Sequence, residues 1–276
     1  MTGGSIPVQI KENPTFATFK NTNLLRNLMA AQHIGNRITV LTTVDSSNNY
    51  AMDLVHRRLA THGEVIFALE QTAGKGRMGR SWVTTSGENI IASFILETNT
   101  LPADSVFCLS MAVALGCHDW LRPYGGDELS IKWPNDIYWR DRKAGGILIE
   151  NNWSGSHWQF AIVGIGLNIN QTVFDPATTR AVSLKQITGR HFDLMEMLNG
   201  LCASLEARWQ ELISGGKETI LADYNHFLFG RGRQVRLSKD GNSFETTVRH
   251  VNASGELLTT DTEERKFRVG EVQWVF

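Results

Sequence analysis

From Glu70 to Gly87 the chain reads E-Q-T-A-G-K-G-R-M-G-R-S-W-V-T-T-S-G. Glycines 74, 76 and 79 are interleaved with Lys75, Arg77 and Arg80, and no acidic residue stands between Glu70 and Glu88. A backbone free to turn, carrying cations with no counter-charge, is suited to wrapping an anion. Apolar runs bracket it, Val65 to Leu69 before and Ile90 to Leu96 after, and both have the composition of buried strands. The chain must therefore fold so that two buried strands hold a basic, glycine-rich loop between them.

The anion has to be recognised locally. A net charge of −1 does not imply general attraction to nucleic acid or anionic lipid. With 276 residues and 42% apolar composition, the chain can build one large domain or a large one plus a small one. Cys108, Cys117 and Cys202 lie far apart with no C-x-x-C, and read as buried thiols of a reducing compartment. The opening M-T-G-G-S-I-P-V lacks the apolar segment of a signal peptide, and no run of about 18 apolar residues is present. A cytoplasmic protein without a membrane partner is the expectation.

Along the chain, residues 1–37 are weakly patterned, with a short amphipathic helix expected around Leu24, Leu25, Leu28 and Met29. Ile38 to Val44 reads as a strand ending at the N-cap residues Asp45-Ser46-Ser47-Asn48, and a helix is expected to run to His62. After the loop come the Ile90–Leu96 strand and a long apolar helix through Leu121, expected to be ended by Arg122-Pro123 and Gly125-Gly126. Short strands follow at Ser130 to Trp133, Ile137 to Trp139, Gly146 to Glu150 and Phe160 to Gly166, then a loop over 173–180 and helices over Asp193–Ser214 and Lys217–Phe229. From Gly230, short strand-like pieces separated by turn residues suggest a small all-β barrel.

Gly74-x-Gly76-x-x-Gly79 has the spacing of a dinucleotide fingerprint, with Glu97 near where its acidic partner would stand. That fingerprint needs the loop to open into a helix. Arg80 to Gly87 is a poor helix start, with cations where the helix dipole disfavours them. No Walker string exists. Taken alone, the stretch also reads as a solvated basic turn.

Other blocks narrow it: D-S-S-N (45–48), K-W-P-N-D (132–136), D-R-K-A-G-G-I-L-I-E (141–150) and G-I-G-L-N-I-N (164–170). With G-K-G-R-M-G-R-S-W (74–82), these five ordered blocks make residues 38–276 resemble the biotin protein ligases (biotin–[acetyl-CoA-carboxylase] ligases). Ser47 stands where the family often has Thr, and Lys75 and Met78 where it often has Arg.

The resemblance implies an α+β fold: a mixed sheet with flanking helices, similar to class II aminoacyl-tRNA synthetase cores, and a C-terminal SH3-like β-barrel. It implies domains at 1–37 (extension), 38–229 (catalytic) and 230–276 (barrel). It implies an enzyme that activates biotin with ATP, accompanied by Mg²⁺, and biotinylates a biotin carboxyl carrier protein domain. Ser46, Ser47, Asn48 and Gln71 would bind the biotin ring, with Lys75, Gly76 and Arg77 closing over biotin and the acyl phosphate. Lys143, with Arg77, would be catalytic. Arg80, Trp82, Lys132, Asn135, Asp136 and Asn168 would line the ATP side, and no protein ligand is named for the metal. The loop would be a lid that orders over the adenylate. A lipoate or octanoate transferase on a related core is the alternative. DNA binding is not expected, because some 37 residues before Ile38 are too short for a winged helix. A homodimer is left open.

Overall fold

The computed structural model describes residues 33–175 and 180–276. The amphipathic helix expected around Leu24 to Met29 lies outside them. In chain order the elements are β1 (Arg37–Leu41), α1 (Ser47–His56), β2 (Glu64–Ala68), β3 (Ile90–Glu97), α2 (Val106–Gly125), β4 (Leu129–Lys132), β5 (Asp136–Trp139), β6 (Arg142–Ser154) and β7 (His157–Leu167). Then come α3 (Leu184–Thr188), α4 (Leu194–Ile213) and α5 (Lys217–His226), followed by β8 (Gln234–Lys239), β9 (Asn242–Val251), β10 (Leu257–Thr260), β11 (Glu264–Phe267) and β12 (Gln273–Val275). The first seven strands form one sheet in the order β1-β2-β3-β7-β6-β5-β4. Its β1–β2 pair is parallel and the others antiparallel. The last five form an antiparallel sheet, β11-β10-β9-β8-β12.

β3 explains why its sequence does not alternate. It sits between β2 and β7, and all its residues but Glu97 are buried. Side chains still alternate between two faces. Ile90, Ala92, Phe94 and Leu96 join the large core built with α2 and α4. Ile95, with Ile66 and Ile162, packs under α1 through Ala51 and Val55. By the same period Ile91 and Ser93 face the α1 side.

The large core is continuous with the second sheet, taking in Leu237, Val248, Val251, Leu257 and Phe267. Polar ties reinforce that junction. Trp133 Nε1 donates to the Gly255 carbonyl at 3.0 Å, and Asn225 exchanges hydrogen bonds of 2.8 and 2.7 Å with the Val251 backbone.

Three local expectations differ from the structure. α1 ends at His56 rather than His62, where Arg58 takes up a positive φ of 58° and turns the chain. α2 runs past Pro123 to Gly125, because the proline falls in the last turn, where one lost intrahelical bond no longer breaks a continuing helix. α3 was not anticipated, although Ser183 and Gln186 form a complete capping box at its start.

Candidate functional site

The basic loop folds back on itself. Gly76 N donates to Arg80 O at 2.6 Å and Trp82 N to Gly74 O at 2.9 Å, with one turn of 3₁₀ helix at Arg77–Gly79. This brings Lys75, Gly76, Arg77 and Trp82 over a cavity whose walls also include Ser46, Ser47, Asn48, Gln71, Asn135 and Lys143.

One end of the cavity is uncharged. Ser46 stands at the N-cap of α1 without making a side-chain cap bond. The polar groups beside it are spent on one another. Ser47 donates through both N and Oγ to Gln71 Oε1, at 2.7 and 3.0 Å. Asn48 Nδ2 donates to Glu150 Oε2 at 2.7 Å, while Ser93 Oγ donates to Asn48 Oδ1 at 2.6 Å and lies 2.8 Å from Ser47 Oγ. All of Ser46, Ser47, Asn48 and Ser93 are buried. Buried hydroxyls and amides tied this closely are locked in orientation before any ligand arrives.

The floor is a row of small residues. Ser93 pairs with Gly164, which pairs with Leu148; Ile91 pairs with Gly166, which pairs with Gly146. A Cβ at Gly164 would overlap the Asn48 amide, and one at Gly166 would overlap the Trp82 indole. Both glycines are thus needed for close approach across the sheet face. With the indole lodged there, the cavity measures about 60 Å³, room for a few waters. The Trp82 Nε1 donor is buried without a hydrogen-bond partner.

The other end is cationic. Lys143 Nζ lies 2.6 Å from Asp136 Oδ1, and Lys132 Nζ is 4.0 Å from Asp136 Oδ2. Arg77 Nη1 donates to Asn135 Oδ1 at 3.1 Å, and Lys75 donates to Asn49 Oδ1 and stands 3.8 Å from Glu150. The Lys143 backbone is pinned on both sides: its N donates to Arg180 O and its carbonyl accepts from Val182 N. Burial pushes the Lys132 ammonium down to about 8, against the pull of Asp136. Burial also lowers Arg77, with Asp136 opposing.

The structure brings the expected biotin-side residues together with Trp82 and Asn135. Arg80, Lys132, Asp136 and Asn168 do not line the cavity. Asp136 reaches it through Lys143. Arg80 is exposed at the loop's end. Asn168 is buried, and its amide donates to the carbonyls of Lys143 and Val182 at 3.2 Å, bracing the lysine's backbone. Sequence reasoning missed Ser93, Glu150 and the two floor glycines. The signal for Ser93 was a lone hydroxyl in an otherwise apolar run.

A family model described as the biotin/lipoate A/B protein ligase family matches residues 40–168. A biotin–[acetyl-CoA-carboxylase] ligase of Paracoccus denitrificans is 36% identical over 177 residues, covering 62% of this chain and 72% of the relative. The chain belongs to this ligase family. A second such relative, from Mycobacterium tuberculosis, is 31% identical over 199 residues, with 71% and 72% covered. In fold the chain is like the Aquifex aeolicus biotin protein ligase solved with biotin and ATP, at a TM-score of 0.73 and 24% identity over 86% of this chain and 98% of that one. The shared architecture is the mixed, helix-flanked sheet followed by the antiparallel one.

Proposed function

We propose that the chain is a biotin–protein ligase. It activates biotin with ATP to biotinyl-5′-AMP and passes the biotinyl group to a lysine of a biotin carboxyl carrier protein domain. The observation that carries this is a single cavity in which an uncharged, hydroxyl- and amide-lined end runs into a cationic end at Lys143 and Arg77. The ureido ring of biotin is neutral and hydrogen-bonding, and its valerate is anionic, so the chemistry of one molecule matches both ends. The named relatives favour biotin over lipoate.

In the first step a biotin carboxylate oxygen attacks the α-phosphorus, and the bond to the bridging oxygen breaks as pyrophosphate leaves. Two anions must meet, so the chemistry is positioning and charge stabilisation. Lys143 contacts the carboxylate and the α-phosphate, and Arg77 and Lys75 close over them. Arg80, Trp82, Lys132, Asn135 and Asp136 serve the nucleotide side, and Asn168 acts through the Lys143 backbone. In the second step the acceptor lysine, as free amine, attacks the acyl carbon and AMP departs.

Protein thiols take no part. Burial pushes Cys108 up to about 11 and Cys202 up to about 12, and raises Cys117 further. Among the described residues no cluster of three or more His, Cys, Asp or Glu side chains gathers. Mg²⁺ would accompany ATP, held largely by phosphates and water, and no step is routed through it.

In the same reading the first sheet is a class II synthetase-like core, and the second sheet, set off near residue 230, closes as an SH3-like barrel. The chain acts in the cytoplasm without operator DNA, alone or as a homodimer. No helix among the described residues is long and apolar enough to cross a membrane.

Incubation with biotin, Mg·ATP and a biotin carrier domain, read by mass spectrometry, should add one biotinyl group to one carrier lysine. Addition of lipoate or octanoate but not biotin would move the chain to the alternative, and no addition of any acyl group would overturn the ligase reading.

A further inference from the structure

Lys132 belongs to the K-W-P-N-D block, yet its surroundings come largely from the second sheet. Its Nζ lies 4.8 Å from the Tyr138 ring centroid, 5.0 Å from Phe276 and 5.7 Å from Trp274. Trp274 is on β12 and Phe276 follows it. The Tyr138 and Phe276 rings stack at 6.0 Å with an interplanar angle of 14°, and Phe229 packs against Tyr138, Trp274 and Phe276 at 5.5, 5.5 and 6.1 Å. Only 12% of the lysine side chain reaches solvent. Its polar neighbours are the Tyr138 hydroxyl at 3.2 Å and Asp136.

Aromatic faces attract a cation without cancelling its charge. Asp136 is the carboxylate on Lys132, 4.0 Å away and shared with Lys143, so the rings fix the ammonium without adding a further counter-charge. Holding it also spends the lysine's rotamer entropy before substrate binds. The fixed charge then reaches the cavity through Asp136, whose Oδ2 faces Lys132 while its Oδ1 pairs with Lys143. Asp136 is thereby held between two lysines, one in the cavity wall and one in the aromatic cage.

Resting on the ligase reading, we propose that Trp274 and Phe276 are positioning residues for the activation step. The second sheet holds Lys132 through their rings, and Lys132, through Asp136, aims the Lys143 ammonium at the phosphate end of the cavity. The second sheet is then part of the ATP-handling apparatus and not only a packed neighbour.

Phe276 is the place to test this, because it is 51% exposed and its truncation opens no core cavity. In biotin-dependent pyrophosphate release, Phe276→Ala should lower kcat/KM for ATP by about threefold, the size of one cation–π contact on a half-exposed ring. The KM for biotin should not change. Phe276→Tyr should restore the wild-type value, and Phe276→Leu, of similar volume without a π face, should not. In a Lys132→Gln background, Phe276→Ala should add nothing. An unchanged kcat/KM for ATP in Phe276→Ala, full activity in Phe276→Leu, or an undiminished effect without Lys132 would each overturn the proposal. If the wild-type chain releases no pyrophosphate with biotin, the ligase reading fails separately. The same four variants then decide this proposal through the Kd for ATP, with the same expected pattern.

Discussion

The two ends of the cavity are built differently. At the neutral end the polar groups are tied to one another in a network: Ser47 with Gln71, Asn48 with Ser93 and Glu150. At the cationic end the partners are fewer and interchangeable: Lys143 with Asp136, Arg77 with the neutral Asn135, Lys75 with Asn49 and, more distantly, Glu150. A neutral ring is recognised by geometry, which requires prior locking. Developing phosphate charge is recognised by field, so cations gain most when their resting partners can be exchanged for the anion. The loop makes this exchange possible, since it supplies Lys75 and Arg77 from a hairpin closed by the Gly76–Arg80 and Trp82–Gly74 backbone bonds rather than from the sheet.

Substitutions at the two ends should therefore fail in different ways. The largest effect is expected for Lys143→Ala, which should cost about 10²–10³-fold in biotinyl-AMP formation, as for loss of a group aimed at transition-state charge. Its thermal midpoint should stay near wild type, and near-normal adenylation would remove Lys143 from the mechanism. Next is Gly164→Ala. The added Cβ would push on the Asn48 amide, and overpacking of about 1–3 kcal/mol directed at the neutral end should raise the Kd for biotin by about 10–100-fold. The Kd for ATP should hold. Calorimetry showing equal losses for both ligands would erase the distinction between the ends.

Ser93→Ala should be milder. It removes one hydrogen bond to Asn48 Oδ1, worth about 1 kcal/mol, and should weaken biotin about fivefold with ATP again untouched. A variant that weakens ATP instead would show the hydroxyl network serving the nucleotide.

The smallest effect concerns pH. Lys132 is an ordinary lysine pushed down to about 8 by burial, so its charge is lost as pH rises through that value. kcat/KM for ATP, which reports the free enzyme, should fall by a few-fold (about threefold) across this range, and Lys132→Gln should flatten that limb. Stability should move the other way. A lysine with a folded pKa below its unfolded value costs stability fully below pH about 8, and the cost fades as pH climbs toward about 10.4. Urea midpoints that fall between pH 7.5 and 9.5 because of Lys132, judged against Lys132→Gln, would contradict that sign.

Much of the site was legible as strings, because the motifs place chemistry at the ends of local elements. Ser46–Asn48 open a helix after a strand, the basic loop joins two strands, and Lys143 begins β6. Each needs only its own neighbours to be recognised. Ser93, Glu150, Gly164 and Gly166 were not legible as site residues. Their role comes from register across β3, β7 and β6, which no single segment encodes. The aromatic cage of Lys132 is the extreme case, since Trp274 and Phe276 lie some 140 positions away in the chain. Pro123 misled in the opposite direction, because a breaker in the last turn does not stop the helix ahead of it.

By itself the sequence determined the glycine-rich cationic loop and the strands around it, which follow from local composition and spacing, and its ordered motif blocks carried the resemblance to the ligase family. Only the tertiary structure decided which end of the cavity is locked and which is exchangeable, and that Lys132 is caged by the second sheet. Those outcomes depend on desolvation and on contacts between segments remote in sequence, and both arise only when the chain has closed on itself.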